Sequence, residues 1–102
     1  MKVVWTENAE FDLDDLYDFV AKDSPIYAEQ FVDQILREVG LIEQTPRMGR
    51  KVPEANSDQI RERIVQSQRV IYLIDDDNEV VSVLALVHVR RDLENDEGKP
   101  WS

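Results

Sequence analysis

The sequence predicts an α+β domain in which a helical hairpin packs on one face of a mostly antiparallel sheet. Near the N-terminus, two neighbouring stretches carry apolar residues at three- and four-residue spacing, as amphipathic helices do. Ile60–Ile74 then contains two strand-like runs around a short polar break, which indicates a β-hairpin. Val80–Val89 is almost continuously apolar and predicts a central strand buried on both faces. The predicted order is therefore β-α-α-β-β-β, with at least part of the second sheet face left to water or a partner.

The composition limits what this chain can be. Its 102 residues predict a single domain. The absence of cysteine excludes disulfides and thiolate metal sites, and no run approaches the roughly 18 apolar residues of a membrane span. Because the N-terminus lacks the apolar region of a signal peptide, we expect a cytoplasmic location. With one histidine, no glycine-rich phosphate loop and no zinc motif, we expect neither a cofactor nor a metal site.

A short strand and the two helices fill the first half of the chain. Lys2–Trp5 predicts the strand, and Thr6 is a suitable N-cap for the helix that follows. Ser24 and Pro25 start the second helix, since a proline loses no hydrogen bond at the first helical position. The expected core-facing residues are Ala9, Leu13, Leu16, Tyr17 and Val20 in the first helix and Ala28, Phe31, Val32, Ile35, Val39 and Ile42 in the second. The expected solvated face of the first helix comprises Asp12, Asp14, Asp15 and Asp18.

The second half is predicted to consist of a link, a hairpin, a strand and a tail. Residues 46–58, with two prolines and one glycine, predict an irregular link. Ser67-Gln68 breaks the hairpin but suits a type I′ turn poorly, so the form of the loop is left open. Because the chain becomes polar after Arg91, we divide it into a domain of residues 1–92 and a flexible tail of residues 93–102.

The charge is unevenly distributed along the chain. The net charge of −10 argues against non-specific nucleic-acid binding, and we expect no sequence-specific DNA binding and no membrane partner. Residues 1–46 hold eleven acidic residues against three bases, whereas residues 47–91 hold eight bases against seven acidic residues. These bases are the candidate contacts for a partner protein: Arg47, Arg50, Lys51, Arg61, Arg63, Arg69, Arg90 and Arg91. We expect the hairpin arginines among them to share one face.

His88 is the single candidate for acid–base chemistry. A lone histidine is more often structural, but an imidazole side chain can serve as a general acid or base. If the strand continued regularly, Arg90 would share its face, and Arg90 and Arg91 could hold a phosphate. No established catalytic set accompanies it.

Short motifs across Val3–Asp92 give the chain a family resemblance. They are V-V-W-T-E-N-A from Val3, D-L-D-D-L from Asp12, S-P at Ser24, A-x-x-F from Ala28, P-R-M-G-R-K-V-P-E from Pro46, I-R-E from Ile60, R-V-I-Y from Arg69 and V-H-V-R-R from Val87. In order and spacing, rather than singly, they resemble the ParE branch of the RelE/ParE toxin superfamily, also called plasmid-stabilisation proteins.

The resemblance implies a cytoplasmic bacterial toxin of a type II toxin–antitoxin system. Its partners would be a cognate antitoxin, with which it could form a hetero-oligomer, and DNA gyrase, which it would inhibit without chemistry of its own. The RelE branch instead cuts ribosome-bound mRNA, and Arg61, Arg69, His88 and Arg90 would then be the catalytic groups. The lack of a C-terminal tyrosine and the strongly acidic chain favour the ParE branch. A homologue that has lost toxicity and only binds an antitoxin is a third possibility.

Overall fold

The computed structural model describes all 102 residues and shows two helices packed on a five-stranded mixed sheet. The elements are β1 (Lys2–Trp5), α1 (Glu7–Ala21), α2 (Pro25–Gln44), a 3-10 turn (Pro46–Met48), β2 (Arg50–Lys51), β3 (Ile60–Val65), β4 (Gln68–Asp75) and β5 (Val80–His88). The strand order is β1-β5-β4-β3-β2, and only the β1–β5 pair is parallel. The predicted α+β fold is confirmed. β5 lies inside the sheet between β1 and β4, as predicted for a strand flanked on both edges, but β4 rather than β5 is the middle strand. The link predicted to be irregular contains the short β2, which pairs with β3.

Both predicted helix starts are confirmed. The Thr6 hydroxyl accepts a hydrogen bond from the Ala9 N–H at 3.1 Å and also donates to the Val83 carbonyl at 3.0 Å. The start of α1 is thereby fastened to β5. Ser24 caps α2 by accepting from the Tyr27 N–H at 3.2 Å, and Pro25 occupies the first helical position. Because the caps satisfy backbone donors, they fix where each helix begins.

The helices cover one face of the sheet with two adjoining apolar clusters. The residues buried in these clusters are Ala9, Phe31, Ile35, Val39, Val65, Val70, Val83 and Leu86, and then Ile42, Tyr72, Ile74 and Val81. The stripe predicted for α2 supplies five buried residues, whereas Ala9 is the one buried residue of α1. α2 therefore supplies most of the buried helical side chains, whereas α1 lies against β5 and leaves much of its own surface exposed to solvent.

The second face of the sheet is covered over its middle by loop and tail residues. Its cluster contains Val52, Ile60, Ile71, Ala85, Val87 and Leu93, with Ala55 and Trp101 packed against it. Leu93 is completely buried, so the predicted boundary at residue 92 passes through a packed cluster. The mobility of the tail stays a prediction, but Leu93 and Trp101 fasten it to the sheet.

The β3–β4 hairpin turns one residue earlier than the sequence suggested. Gln66 and Ser67 form its two-residue loop, and their φ angles of 50° and 66° are both positive, as in a type I′ turn. Val65 pairs with Gln68, and this register places Arg69 opposite Ile64. Arg69 therefore lies on the same face of the sheet as Ile64 and Glu62, and Arg61 and Arg63 lie on the other face.

Gly49 has no room for a side chain, so we expect Gly49→Ala to destabilise the protein. A Cβ there would collide with the Tyr72 hydroxyl and come within 2.6 Å of the Glu62 carbonyl oxygen. We expect a loss of about 1–3 kcal/mol in the free energy of unfolding, measured with urea. Gly40→Ala is the matched control, because Gly40 lies in α2 with no neighbour within 4 Å. It should stabilise the protein by about 0.5–1 kcal/mol, and equal losses in the two variants would contradict the prediction.

Candidate functional site

The eight predicted basic contacts do not form one free positive surface. All except Arg90 are in ion pairs with carboxylates of the same chain. Arg61 and Arg63 lie on the helix side of β3, where Arg63 pairs with Glu38 of α2 at 3.2 Å. Arg69 lies on the other side of the sheet. The prediction that these three arginines share a face is therefore wrong, because side chains alternate along a strand.

Arg61 connects the link between the 3-10 turn and β3 to the sheet by hydrogen bonds. Its guanidinium donates to the Gly49 carbonyl at 3.1 Å and to the backbone and side chain of Asp58 at 2.9 and 3.0 Å. Its side chain is only 13% exposed. These bonds hold the two ends of the link between the 3-10 turn and β3, so Arg61 has a structural role that the sequence did not reveal.

Arg69 is the centre of a buried ionic network, which we call the Arg69 cluster, comprising Arg69, Glu54, Glu62 and Arg50. The guanidinium of Arg69 makes a two-pronged contact with Glu54 at 2.7 and 2.9 Å and donates to Glu62 at 2.5 Å. Glu62 is completely buried and also accepts from Arg50 at 2.6 Å. The hydrogen bonds to Glu54 and Glu62 raise the pKa of Arg69 above its ordinary value. The cluster fastens the loop after β2 to the sheet.

Because of the Arg69 cluster, we expect the folded protein to lose stability at acidic pH. The hydrogen bond from Arg69 holds the pKa of Glu54 below its ordinary value of 4.5. The stabilisation is therefore complete above that value and is lost as the pH falls through the lower pKa of the folded state. Urea midpoints should fall between about pH 5 and about pH 3.

Glu54→Gln tests this dependence, because it keeps an oxygen acceptor and removes the titrating charge. Its urea midpoint should fall less over this range than that of the parent protein. Glu29→Gln, at an exposed carboxylate outside any ion pair, should leave the parent's pH profile unchanged. A Glu54→Gln profile identical to the parent's would show that the acid dependence arises elsewhere.

The loop bases Arg47, Arg50 and Lys51 are all accessible to solvent. Arg47 pairs with Asp76 at 2.9 Å and Lys51 with Asp58 at 3.2 Å. Arg50 is 64% exposed although it bonds to buried Glu62. Exposed ion pairs are typically worth about 0–1 kcal/mol, so such side chains can exchange their partner for one on another protein.

The four residues predicted for an endonuclease do not converge on one cleft. Arg69 is enclosed by its carboxylates, and Arg61 is directed to the opposite side of the sheet. β5 ends at His88, after which the chain turns. The His88 Nδ1 atom accepts from the Arg90 N–H at 3.1 Å, and the Arg91 N–H donates to the His88 carbonyl at 3.0 Å. The regular strand geometry assumed for His88 and Arg90 is therefore wrong.

A groove of about 440 Å³ opens between α1 and the end of β5, and we call it the α1 groove. Its principal lining residues are Asp12, Asp15, Asp18, Leu16, Phe19 and Leu86, with Lys22, Gln68, Val87, His88 and Arg91 completing it. Asp12, predicted to be solvated, is half-buried and accepts a hydrogen bond from the Leu86 N–H at 3.0 Å. Burial raises the pKa of Asp12 above its ordinary value of 3.8, against the opposing effect of that bond. The groove was not predicted from the sequence, although an aromatic residue, Phe19, on the acidic face of α1 was a signal for it.

The structure contains neither a membrane-spanning helix nor a cluster of metal-ligating side chains. No helix is both long enough and apolar enough to cross a bilayer. No three histidine, aspartate or glutamate side chains come together in an arrangement that could hold a metal ion.

Comparison with known proteins identifies the family. No curated protein sequence matches the chain. Among solved structures, one described as the chromosomal ParDE TA system from P. aeruginosa superposes with a TM-score of 0.72 at 22% identity, covering 88% of this chain and 97% of that chain. That similarity supports the fold. The family model described as "ParE toxin of type II toxin-antitoxin system, parDE" matches residues 3–93. The chain therefore belongs to the ParE toxin family of type II toxin–antitoxin systems.

Proposed function

We propose that the protein is a cytoplasmic toxin that inhibits DNA gyrase by binding it, and that a cognate antitoxin neutralises it. Family membership supports a toxin within a toxin–antitoxin pair. The observation that favours binding over RNA cleavage is the separation of Arg61, Arg69, His88 and Arg90. A nuclease needs an acid–base group and cations converging on one phosphate. Here Arg69 is neutralised in a buried cluster on the side of the sheet opposite Arg61.

Five of the predicted contacts remain suited to a partner. Arg47, Arg50, Lys51, Arg90 and Arg91 are exposed, whereas Arg61 and Arg63 are half-buried and Arg69 is buried. We propose that the five exposed residues contact the antitoxin or gyrase. Arg61 and Arg69 would support this surface indirectly, by holding the neighbouring loop on the sheet.

The deciding experiment compares two targets with one protein preparation. The purified chain is titrated into a gyrase supercoiling assay that also detects the covalent gyrase–DNA cleavage complex. In parallel it is added to a translation reaction in which mRNA ends are mapped. We expect lost supercoiling or an accumulated cleavage complex, with intact mRNA. Unaffected gyrase together with new mRNA ends would overturn the gyrase proposal in favour of the nuclease.

His88→Ala provides a genetic test of the same question. Since the one side-chain hydrogen bond of His88 goes to the backbone of Arg90 and none goes to a proposed catalytic side chain, growth inhibition on induced expression should match that of the parent protein. Arg47→Ala/Lys51→Ala serves as the comparison, because both residues are exposed and proposed to contact a partner. A His88→Ala variant that folds normally but is no longer toxic would contradict the binding mechanism.

A further inference from the structure

The α1 groove has an apolar wall that the fold leaves uncovered. Phe19 is 69% exposed although it lines the groove, and Phe11 on the same helix is 67% exposed. Asp15 lies between them, four residues from each. Residues spaced by four are neighbours on a helix surface, so the two rings flank one carboxylate. Leu16 and Leu86 add apolar surface to the groove itself. An aromatic ring in a concave site can anchor an apolar side chain of a partner.

The charge around this apolar wall is negative. All six carboxylates of α1 are free of ion pairs, while Arg91 across the groove is neutralised by Asp96. The carboxylates of Asp12, Asp15, Asp18 and Asp96 outnumber the cations of Lys22 and Arg91 by two. A complementary occupant therefore carries positive charge beside apolar groups.

We propose that the α1 groove binds a basic amphipathic polypeptide segment of another protein. Its lysine or arginine side chains would meet Asp15 and Asp18, and its apolar side chain would pack on Phe19. A nucleic acid would be repelled by the carboxylates, and a second copy of this chain would bring a further net charge of −10. This surface goes beyond the proposed function, because Arg91 is the only one of the eight predicted basic contacts that lines it.

The test uses random twelve-residue peptides selected for binding to the immobilised full-length protein. Selected peptides should combine lysine or arginine with leucine or an aromatic residue. Their affinity, measured by fluorescence anisotropy, should be reduced about tenfold by Asp15→Asn/Asp18→Asn and by a similar factor by Phe19→Ala. Both changes are at exposed positions, so the fold should survive, and circular dichroism checks this.

A charge-matched control separates the groove from general attraction to an acidic protein. Glu29→Gln/Glu43→Gln removes the same number of charges from exposed positions on α2 that do not line the groove, and should leave affinity within about twofold, because exposed charges outside the binding site are screened by salt. Equal losses in the two double variants would overturn the proposal. It would also be overturned by recovery of no peptides or only acidic ones, or by amide NMR shifts that map away from α1 and His88.

Discussion

Replacing Arg69 with alanine should lower the free energy of unfolding by about 3–5 kcal/mol, the usual cost of leaving a buried charge without its partner. Glu62 is completely buried and Glu54 mostly so, and both would lose their main counter-charge. Measured by urea denaturation, this loss takes much of the roughly 5–15 kcal/mol that holds a typical domain folded. The variant should therefore unfold at a lower temperature than the parent protein.

Two further variants show whether burial is the cause. Arg50→Ala removes the exposed partner of the same Glu62 and should cost no more than about 1 kcal/mol. A triple variant, Glu54→Gln/Glu62→Leu/Arg69→Met, replaces the charged centre by uncharged side chains and should regain most of the stability lost in Arg69→Ala. If Arg50→Ala were as damaging as Arg69→Ala, exposure to solvent would not be the deciding difference.

Replacing Leu93 with alanine should cost about 2–5 kcal/mol, as for other fully buried leucines. Leu93 is completely buried on the second face of the sheet, in a cluster with Ile71 and Val87. Urea denaturation measures the loss, and limited proteolysis should show earlier cleavage within residues 93–102. Val89→Ala, at a side chain that is 42% exposed, is the control and should change stability by less than about 1 kcal/mol. A stable Leu93→Ala protein would restore the idea of a loosely attached tail.

The helices and strands were predictable because their signals are local. The α2 stripe, the caps at Thr6 and Ser24 and the apolar run of β5 each depend on a few neighbouring residues. β2 was missed because two residues carry no periodicity. The tail contained a usable signal, since Leu93 and Trp101 are its only large apolar residues and both pack on the sheet.

The candidate sites were harder to predict because they depend on register and on distant partners. Any two-residue loop in the hairpin places Arg69 on the face of Glu62, opposite Arg61 and Arg63. The alternation of side chains along the two strands was therefore enough to predict that these arginines lie on different faces of the sheet. Nothing in the sequence, however, indicated that Glu54 would reach Arg69 from the link. The α1 groove likewise depends on how close the end of β5 comes to α1, which only the folded chain reveals.

The Arg69 cluster also affects how this chain can vary. A substitution at Arg69 leaves two carboxylates without their counter-charge at once, so a single change there greatly lowers stability. The same substitution should lower stability only slightly once Glu54 and Glu62 have been replaced by uncharged residues. The order in which substitutions arise therefore matters at these three positions. In a library that randomises all three, surviving clones should show correlated residue choices, whereas Arg47 and Asp76 on the surface should vary almost independently.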